Sequence, residues 1–346
     1  MNAVDFFCGG GGMTRGLLNA GIDVQFGLDF NPACRETYEY NNNIPYKCCD
    51  ITEVNHEDLI EEYPILADND ELLLVGCAPC QPFSNQRRSS TEHVAINLLD
   101  EFGRIVRGIN PAHILVENVP GIQNKGHAVF ERFLETLNEL NFNVIYDIVN
   151  AKNYGVPQSR RRLILIASRL FQPEIPSSTH GDGLEPYMTV RDAIENFPHI
   201  EAGETDDNIP NHRAASLSQR NLERIRTTPH DGGGRLDWGN DLVLNCHNNG
   251  HTGHTDVYGR MRWDSVAPTL TSKCFSLSNG RFGHPQQDRA ISLREAAAIQ
   301  SFGNTYEFFG NVSEIGKQIG NAVPVLLAQR IGEYILREHN NLFENR

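Results

Sequence analysis

The sequence predicts an α/β protein: a doubly wound, mostly parallel sheet joined to a smaller irregular domain. Two observations predict it. Through roughly the first 170 residues, short apolar runs alternate with stretches of helical periodicity. From about Ser168 to Gln287 the chain instead becomes rich in Gly, Pro, Asn, His and Thr, with no long amphipathic stretch. A length of 346 residues leaves room for one large domain or two smaller ones.

Taken in order, Ala3 to Phe7 reads as a strand that runs into Cys8 and four glycines, Gly9 to Gly12. Met13 to Ala20 follows as a helix stopped by Gly21, and Val24 to Leu28 as a second strand closed by Asp29. A third strand edge precedes Asp50-Ile51, and Leu72 to Val75 is a fourth strand, apolar throughout and therefore expected to be buried on both faces. Ile96, Leu99, Phe102, Ile105, Val106 and Ile109 recur at helical spacing. His113 to Val116 is the next strand, and Val129 to Leu140 the next helix. Val144 to Val149 and Leu163 to Ala167 complete the strands. In the irregular region Trp238, Trp263, Phe275 and Phe282 are the expected core anchors. Order returns at Ser292-Leu293-Arg294-Glu295, a capping box that opens a helix to Ser301, and a last helix covers Val323 to Arg337.

The composition, 39 % hydrophobic and 21 % charged, is that of a soluble globular chain. No apolar run approaches the roughly 20 residues of a membrane span, and Met1 to Asp5 has no signal-peptide character. Eight cysteines without a paired framework suggest a reducing, cytoplasmic setting. The net charge of −14 argues against nucleic acid, but charge is unevenly placed. Between Pro210 and Ala290 ten Lys/Arg face seven Asp/Glu, with six histidines besides. This modest excess permits nucleic-acid binding and equally fits a solvated face.

Chemistry concentrates at Pro79-Cys80-Gln81, just past the buried strand. In open α/β folds the carboxyl ends of the strands carry the site, and Pro79 stiffens the backbone there. Cys80 is the expected nucleophile. Three other readings of Cys77-x-x-Cys80 stand beside it: a redox pair, half a zinc site lacking its second pair, and an inert buried cysteine. The glycine loop after the first strand fits a nucleotide-type cofactor, with Asp29 placed to take ribose hydroxyls, or a plain tight turn. Glu117 lies past another strand's end, where a carboxyl can hold a proton on a ring nitrogen; a solvated loop glutamate is the alternative. In Gln158-Ser-Arg160-Arg-Arg162, alternate residues point one way and could grip a phosphate and a carbonyl, or form only a basic turn.

Seven motifs occur in order: D-F-F-C-G-G-G-G at Asp5, C-D-I at Cys49, G-C-A-P-C-Q-P-F-S at Gly76, E-N-V-P-G at Glu117, Q-S-R-R-R at Gln158, R-A-I-S-L-R-E-A-A-A-I-Q-S-F at Arg289 and Q-I-G-N-A-V-P at Gln318. In this order and extent the chain closely resembles the cytosine-C5 DNA methyltransferases, of the bacterial restriction-modification type. One departure is Gly10, where larger residues are common; it should alter packing and not chemistry.

The resemblance implies a Rossmann-like methyltransferase fold and transfer of a methyl group from S-adenosyl-L-methionine to C5 of a flipped-out cytosine in duplex DNA. It implies that Cys80 attacks C6, that Glu117 contacts N3 and the exocyclic amine, and that Arg162 with Arg160 holds the base carbonyl and a phosphate. Phe7, Gly9, Gly11, Asp29, Asp50, Ile51 and Asn321 would line the cofactor pocket. Thr269, of the pair Thr269-Leu270, would lie near the target phosphate, and Gln81 to Asn97, with Gln81, Ser84 and Arg87, would close over double-stranded DNA. Residues 1–185 and 305–346 would form the catalytic domain, and 186–304 the target-recognition domain and hinge. A monomer without metal is expected, paired with a restriction endonuclease or acting alone. The same chemistry on tRNA is the alternative. An NAD-type oxidoreductase leaves Pro-Cys-Gln, Glu-Asn-Val and Gln-x-Arg-x-Arg without a purpose, and a silent homologue would need a lesion in Cys80, Glu117 or Arg162 that the chain lacks.

Overall fold

The computed structural model describes residues 1–67, 69–79, 98–244 and 255–344. Two compact units emerge: Met1–Asn150 with Arg161–Ser178 and Val325–Arg346, and Ala151–Arg160 with Thr179–Pro324. Their limits differ from the sequence-based division. Residues 157–159 fall in the second unit because their backbone pairs with Ala267: Ser159 N–H donates to Ala267 O at 2.8 Å, and Ala267 N–H to Pro157 O at 2.9 Å. The helix Val312–Asn321 falls there too, because Gly316 and Gly320 meet Phe275 and Thr271 with no room for a Cβ.

The first unit carries β1 (Asn2–Phe6), β2 (Asp23–Asp29), β3 (Tyr46–Cys48), β4 (Leu72–Gly76), β5 (His113–Asn118), β6 (Asn143–Asn150) and β7 (Arg161–Ser168). They form one sheet in the order β3-β2-β1-β4-β5-β7-β6. The first five in that order are mutually parallel, and β7 runs antiparallel to both neighbours. The order reverses at β1 and β4, so their carboxyl ends lie side by side at a topological switch point. Leu72 to Val75 are fully buried, as their unbroken apolar run predicts.

The helices of this unit are α1 (Gly12–Asn19), α2 (Arg35–Asn42), α3 (His56–Glu62), α4 (Leu98–Ile109), α5 (His127–Glu139) and, at the chain's end, α10 (Val325–Glu344). α4 buries Leu99, Phe102, Ile105, Val106 and Ile109, the spacing of one helical face. Phe102 meets Phe6 edge-on at 5.5 Å and packs over the end of β4. A Cβ on Gly76 would sit 2.6 Å from its ring, so glycine is what allows that approach. α1 and α10 are equally close: a Cβ on Gly16 would stand 2.4 Å from the Ala328 Cβ. Among the described residues no helix is long and apolar enough to cross a membrane.

Among its described residues the second unit holds α6 (Val190–Ile194), α7 (Gln219–Thr227), α8 (Leu293–Ile299) and α9 (Val312–Asn321), otherwise joined by loops, short 3-10 helices and isolated bridges. Ile225, Trp238, Tyr258, Leu277 and Ala290 form a small core. Phe282 is buried, while Trp263 and Phe275 are only half-buried. Loops leave backbone carbonyls without ladder partners, and buried arginines satisfy them. Arg260 donates to the carbonyls of Thr228, His284, Gln287 and Ile225. Arg294 does the same for Pro210, Gly303 and Tyr306. The basic excess of this region therefore has a largely structural explanation: Arg224, Arg235, Arg260 and Arg289 are buried, and Arg281 reaches the carbonyls of Gly232, Gly233 and Arg260. The capping box forms as predicted, and Arg289 grips the same Glu295 with two bonds of 2.7 Å. Burial alone would raise the Glu295 carboxyl, but the Arg289 hydrogen bonds and charge prevail and pull it down to about 2.

Candidate active site

The chain leaves β1 through a left-handed turn: φ is 64° at Phe7, 50° at Gly9 and 84° at Gly11. Glycine adopts this region freely, whereas Phe7 pays roughly 1–2 kcal/mol for it. Hydrogen bonds from Phe7 N–H (2.7 Å) and Cys8 N–H (3.2 Å) to Leu28 O hold the turn in place. Asp29 braces it from β2, accepting Gly9 N–H at Oδ2 and Asn31 N–H at Oδ1, both at 2.9 Å. Burial raises the Asp29 carboxyl against the pull of those bonds. Beneath the loop, Thr14 Oγ1 donates to the buried Asp5 carboxylate at 2.7 Å and lies 2.9 Å from Tyr38 Oη. Ile51 is buried and Asp50 exposed, its Oδ1 accepting from Thr52 N–H and Oγ1. Phe30, 65 % exposed directly after Asp29, had no place in the sequence reading; its signal was an aromatic following the acid that closes a strand.

The loop after β4 begins beside this turn, with Cys77 N–H bonded to Phe6 O at 3.2 Å. Cys80, Gln81, Ser84 and Arg87 lie outside the described residues. What precedes Cys80 is described. Asn118, at the end of β5, donates its Nδ2 to Ala78 O at 3.2 Å and accepts Val119 N–H at 2.7 Å, fastening this loop to β5. Sequence reasoning gave Asn118 no role. Desolvation, and then the carboxylates of Asp5 and Glu117, push the Cys77 thiol well above its ordinary range. A protonated Cys77 is a poor partner for a redox pair or a metal.

Glu117 sits within β5, not past its end, because β7 continues the ladder to the pair Asn118 and Leu163. Glu117 lies opposite Ile164, and Arg162, two residues back on β7, shares that face. The result is an ion pair, Arg162 Nε to Glu117 Oε1 at 2.9 Å, with side chains only 13 % and 11 % exposed. A carboxylate, a guanidinium, the Asn118-held loop and the glycine turn thus share the carboxyl edge of one sheet.

A family profile described as C-5 cytosine-specific DNA methylase matches residues 1–337. The chain belongs to that family. The methylase is 41 % identical to the Type II methylase M.HgiDII of Herpetosiphon aurantiacus, over 99 % of this chain and 96 % of that protein. It is 31 % identical to the Type II methyltransferase M1.HphI of Haemophilus parahaemolyticus, over 98 % and 87 % of the two chains. Its fold is similar to a prophage-encoded E. coli protein assigned as a DNA modification methyltransferase, with a TM-score of 0.75 at 20 % identity, covering 98 % and 99 %. The S. pombe Dnmt2 methyltransferase is similar at a TM-score of 0.64, also at 20 % identity, covering 98 % and 99 %.

In the methylase's second unit, Gln158 and Arg160 do not share the surroundings of Arg162. Gln158 is fully buried and Arg160 is 2 % exposed. Arg160 donates Nη1 to Leu270 O (3.0 Å) and Nη2 to Gly320 O (3.2 Å) and Ala322 O (3.1 Å). Its guanidinium is thus engaged with the backbone, which differs from the expected contact to a base or phosphate. Thr269 is exposed, with its Oγ1 donating to Ser159 O at 2.6 Å. Asn321 is exposed at the last position of α9.

Proposed function

We propose that the methylase adds the Cys80 thiolate to C6 of a cytosine flipped out of a specific duplex DNA sequence, making C5 nucleophilic toward a methyl donor. The Glu117–Arg162 pair is the observation that carries the reading. Addition at C6 places negative charge on the ring, and a carboxyl at N3 with a guanidinium beside it can supply a proton and hold the carbonyl. C5 of cytosine is too weak a nucleophile without that addition; afterwards a base takes the C5 proton, the C6–S bond breaks, and the Cys80 thiolate leaves as the ring is restored. Ring atoms are out of reach inside a duplex, so the base must leave the stack. Arg160 is read as a positioning residue, and Arg162 as the arginine that touches the base.

S-adenosyl-L-methionine supplies an electrophilic methyl group when bound. The glycine turn fits it: Gly9 and Gly11 keep side chains out of the way, and Asp29 fixes the turn. Phe30, the residue after Asp29, is an exposed aromatic that could cover a bound cofactor. Phe7, Asp50, Ile51 and, from the second unit, Asn321 are the further residues proposed to hold the cofactor. The irregular stretch from about Tyr187 to Gln287 is proposed to read the target sequence, with Thr269 near a phosphate, and Gln81, Ser84 and Arg87 to contact DNA from the loop after Cys80. Likeness to Type II methylases supports double-stranded DNA over tRNA, and pairing with a restriction endonuclease.

The test has two stages. Bisulfite sequencing of DNA from cells expressing the methylase maps the modified cytosines. A duplex carrying 5-fluorocytosine at that site is then incubated with enzyme and S-adenosylmethionine. Fluorine cannot leave as a proton does, so a band that survives denaturation and is absent with Cys80→Ala is expected. No such band refutes addition at C6.

A further inference from the structure

In the second unit, the loop from Thr228 to Trp238 is braced by the protein on one side and open on the other. Arg281 Nη1 donates to Gly232 O at 2.9 Å and to Gly233 O at 3.2 Å, and Arg260 N–H to Gly233 O at 2.9 Å. Asp231 N–H donates to Pro285 O, and Trp238 Nε1 to Thr228 Oγ1, both at 2.8 Å. Leu236, in the same loop, is 80 % exposed, so the protein leaves that part of the loop uncovered. The Arg262 side chain runs over Gly232: a Cβ there would stand 2.6 Å from its Cγ, 2.5 Å from its Nε and 2.8 Å from its Cζ. Most arginines of this unit are engaged within it, on backbone carbonyls or on acids such as Asp264 and Glu223. Arg262 is exposed, and among the described residues its guanidinium has neither a hydrogen bond nor an ion pair. Arg213 is alike in this, but its backbone belongs to the Thr205 bridge and the start of α8. The acids beside Arg262 in sequence and space are occupied: Asp231 Oδ1 accepts Trp263 N–H at 2.6 Å, and Asp264 pairs with Arg191 at 2.6 Å.

We infer that Arg262 is a specificity-determining residue that reads a guanine of the target sequence by its major-groove edge. The inference rests on the functional reading above, in which the irregular region contacts duplex DNA. A phosphate needs only a cation, and a flexible stem serves it as well as a fixed one. Guanine presents two acceptors side by side, O6 and N7, which two donors of one planar guanidinium match. That match demands a fork held in one direction. Gly232 supplies the surface that holds it, and the bonds from Arg281, Arg260 and Asp231 hold Gly232. A side chain so placed has less rotamer freedom to lose when it binds. Its donors, having no acceptor among the described residues, give up only water.

The experiment measures kcat/KM for methyl transfer to duplexes carrying the bisulfite-mapped site. Each guanine of the site, apart from the partner of the methylated cytosine, is replaced in turn by 7-deazaguanine, which pairs normally but lacks the N7 acceptor. At one position the wild type is expected to lose at least about fivefold. Arg262→Met keeps the stem over Gly232 and removes the donors. It is expected to lose at least as much on the unmodified site and nothing further with 7-deazaguanine at that position, while the other positions keep their penalties. Arg213→Ala is expected to keep the wild-type pattern. Contact with a phosphate alone would lower transfer equally on every duplex and leave the 7-deazaguanine penalty intact. A merely structural role would lower the melting temperature and also leave that penalty intact. Either result overturns the inference, as does a wild type indifferent to every replacement or a site with no other guanine. Should Arg262→Met fail to fold, Arg262→Gln decides by the same comparison. A wild type that modifies no DNA overturns the functional reading itself.

Discussion

Arg162 Nε lies 2.9 Å from Glu117 Oε1, and the two meet because β7 runs against β5. A parallel β7 would have carried Arg162 to the opposite edge of the sheet. The reversal puts a cation beside the carboxylate at the edge where the β1 and β4 loops also emerge. Glu117→Gln keeps the shape and loses the proton-holding group, so methyl transfer should fall about 10²- to 10⁴-fold. Arg162→Lys keeps the charge but loses the planar fork, and should cost at least about tenfold. Transfer of labelled methyl groups to DNA checks both, and an unimpaired Glu117→Gln enzyme would remove Glu117 from the mechanism.

The two cysteines of Cys77-x-x-Cys80 should separate cleanly. Cys80→Ala is expected to abolish transfer while leaving DNA and cofactor binding largely intact. Cys77, whose thiol is held protonated, should tolerate Ala with mild effect. Equal loss of activity in the two variants would revive a redox pair, and transfer by Cys80→Ala above a few per cent of wild type would discard Cys80 as nucleophile.

Asp29 braces the glycine turn through Gly9 N–H. Hydrogen bonds to a charged group contribute about 1.5–3 kcal/mol. Asp29→Ala should therefore weaken S-adenosylhomocysteine binding by about tenfold or more, measured calorimetrically, with duplex binding in the absence of cofactor little changed. Undiminished analogue binding would leave Asp29 without a part in the pocket.

Asp5 links stability to pH. Burial raises its carboxyl from 3.8 to about 7, against the opposing hydrogen bond from Thr14. Between those values the folded chain keeps a proton that the unfolded chain has lost, so stability falls as pH rises from about 4 to about 7. The contribution is on the order of 4 kcal/mol, at 1.36 kcal/mol per pH unit. Asp5→Asn can still accept the Thr14 hydroxyl and carries no charge. It should flatten the melting-temperature profile over that window and raise the melting temperature at pH 8. A profile identical to wild type would show that Asp5 does not titrate there.

Target choice should travel with the irregular region. The sheet's motifs are proposed to address cofactor, base or phosphate, none of which distinguishes one site from another; that needs side chains at base edges. Replacing about Tyr187 to Gln287 with the matching stretch of a methylase of different target should move the methylated sites, mapped by bisulfite sequencing, to the donor's sequence. An active chimera that keeps the original sites would shift recognition to the Gln81 to Asn97 loop.

Local features were legible before any coordinates. Six of the seven strands appear as apolar runs, β3 (Tyr-Lys-Cys) only as a strand edge before Asp50, the Ser292–Glu295 box caps a helix, and the glycines after β1 make the turn their composition demands. Alternation, caps and left-handed glycines are set by neighbours in the chain, so they can be read along it. The motif order likewise marked Cys80 and Glu117 as the residues to test. Tertiary structure decided what depends on distant partners. It reversed β7, drew 151–160 and α9 into the second unit, and parted Arg160 from Arg162 although one residue separates them. It also spent much of the basic excess on backbone carbonyls. An arginine's sequence context does not say whether its five donors will meet a phosphate, a carboxylate or a loop; which acceptor lies within 3 Å is settled only when remote segments pack.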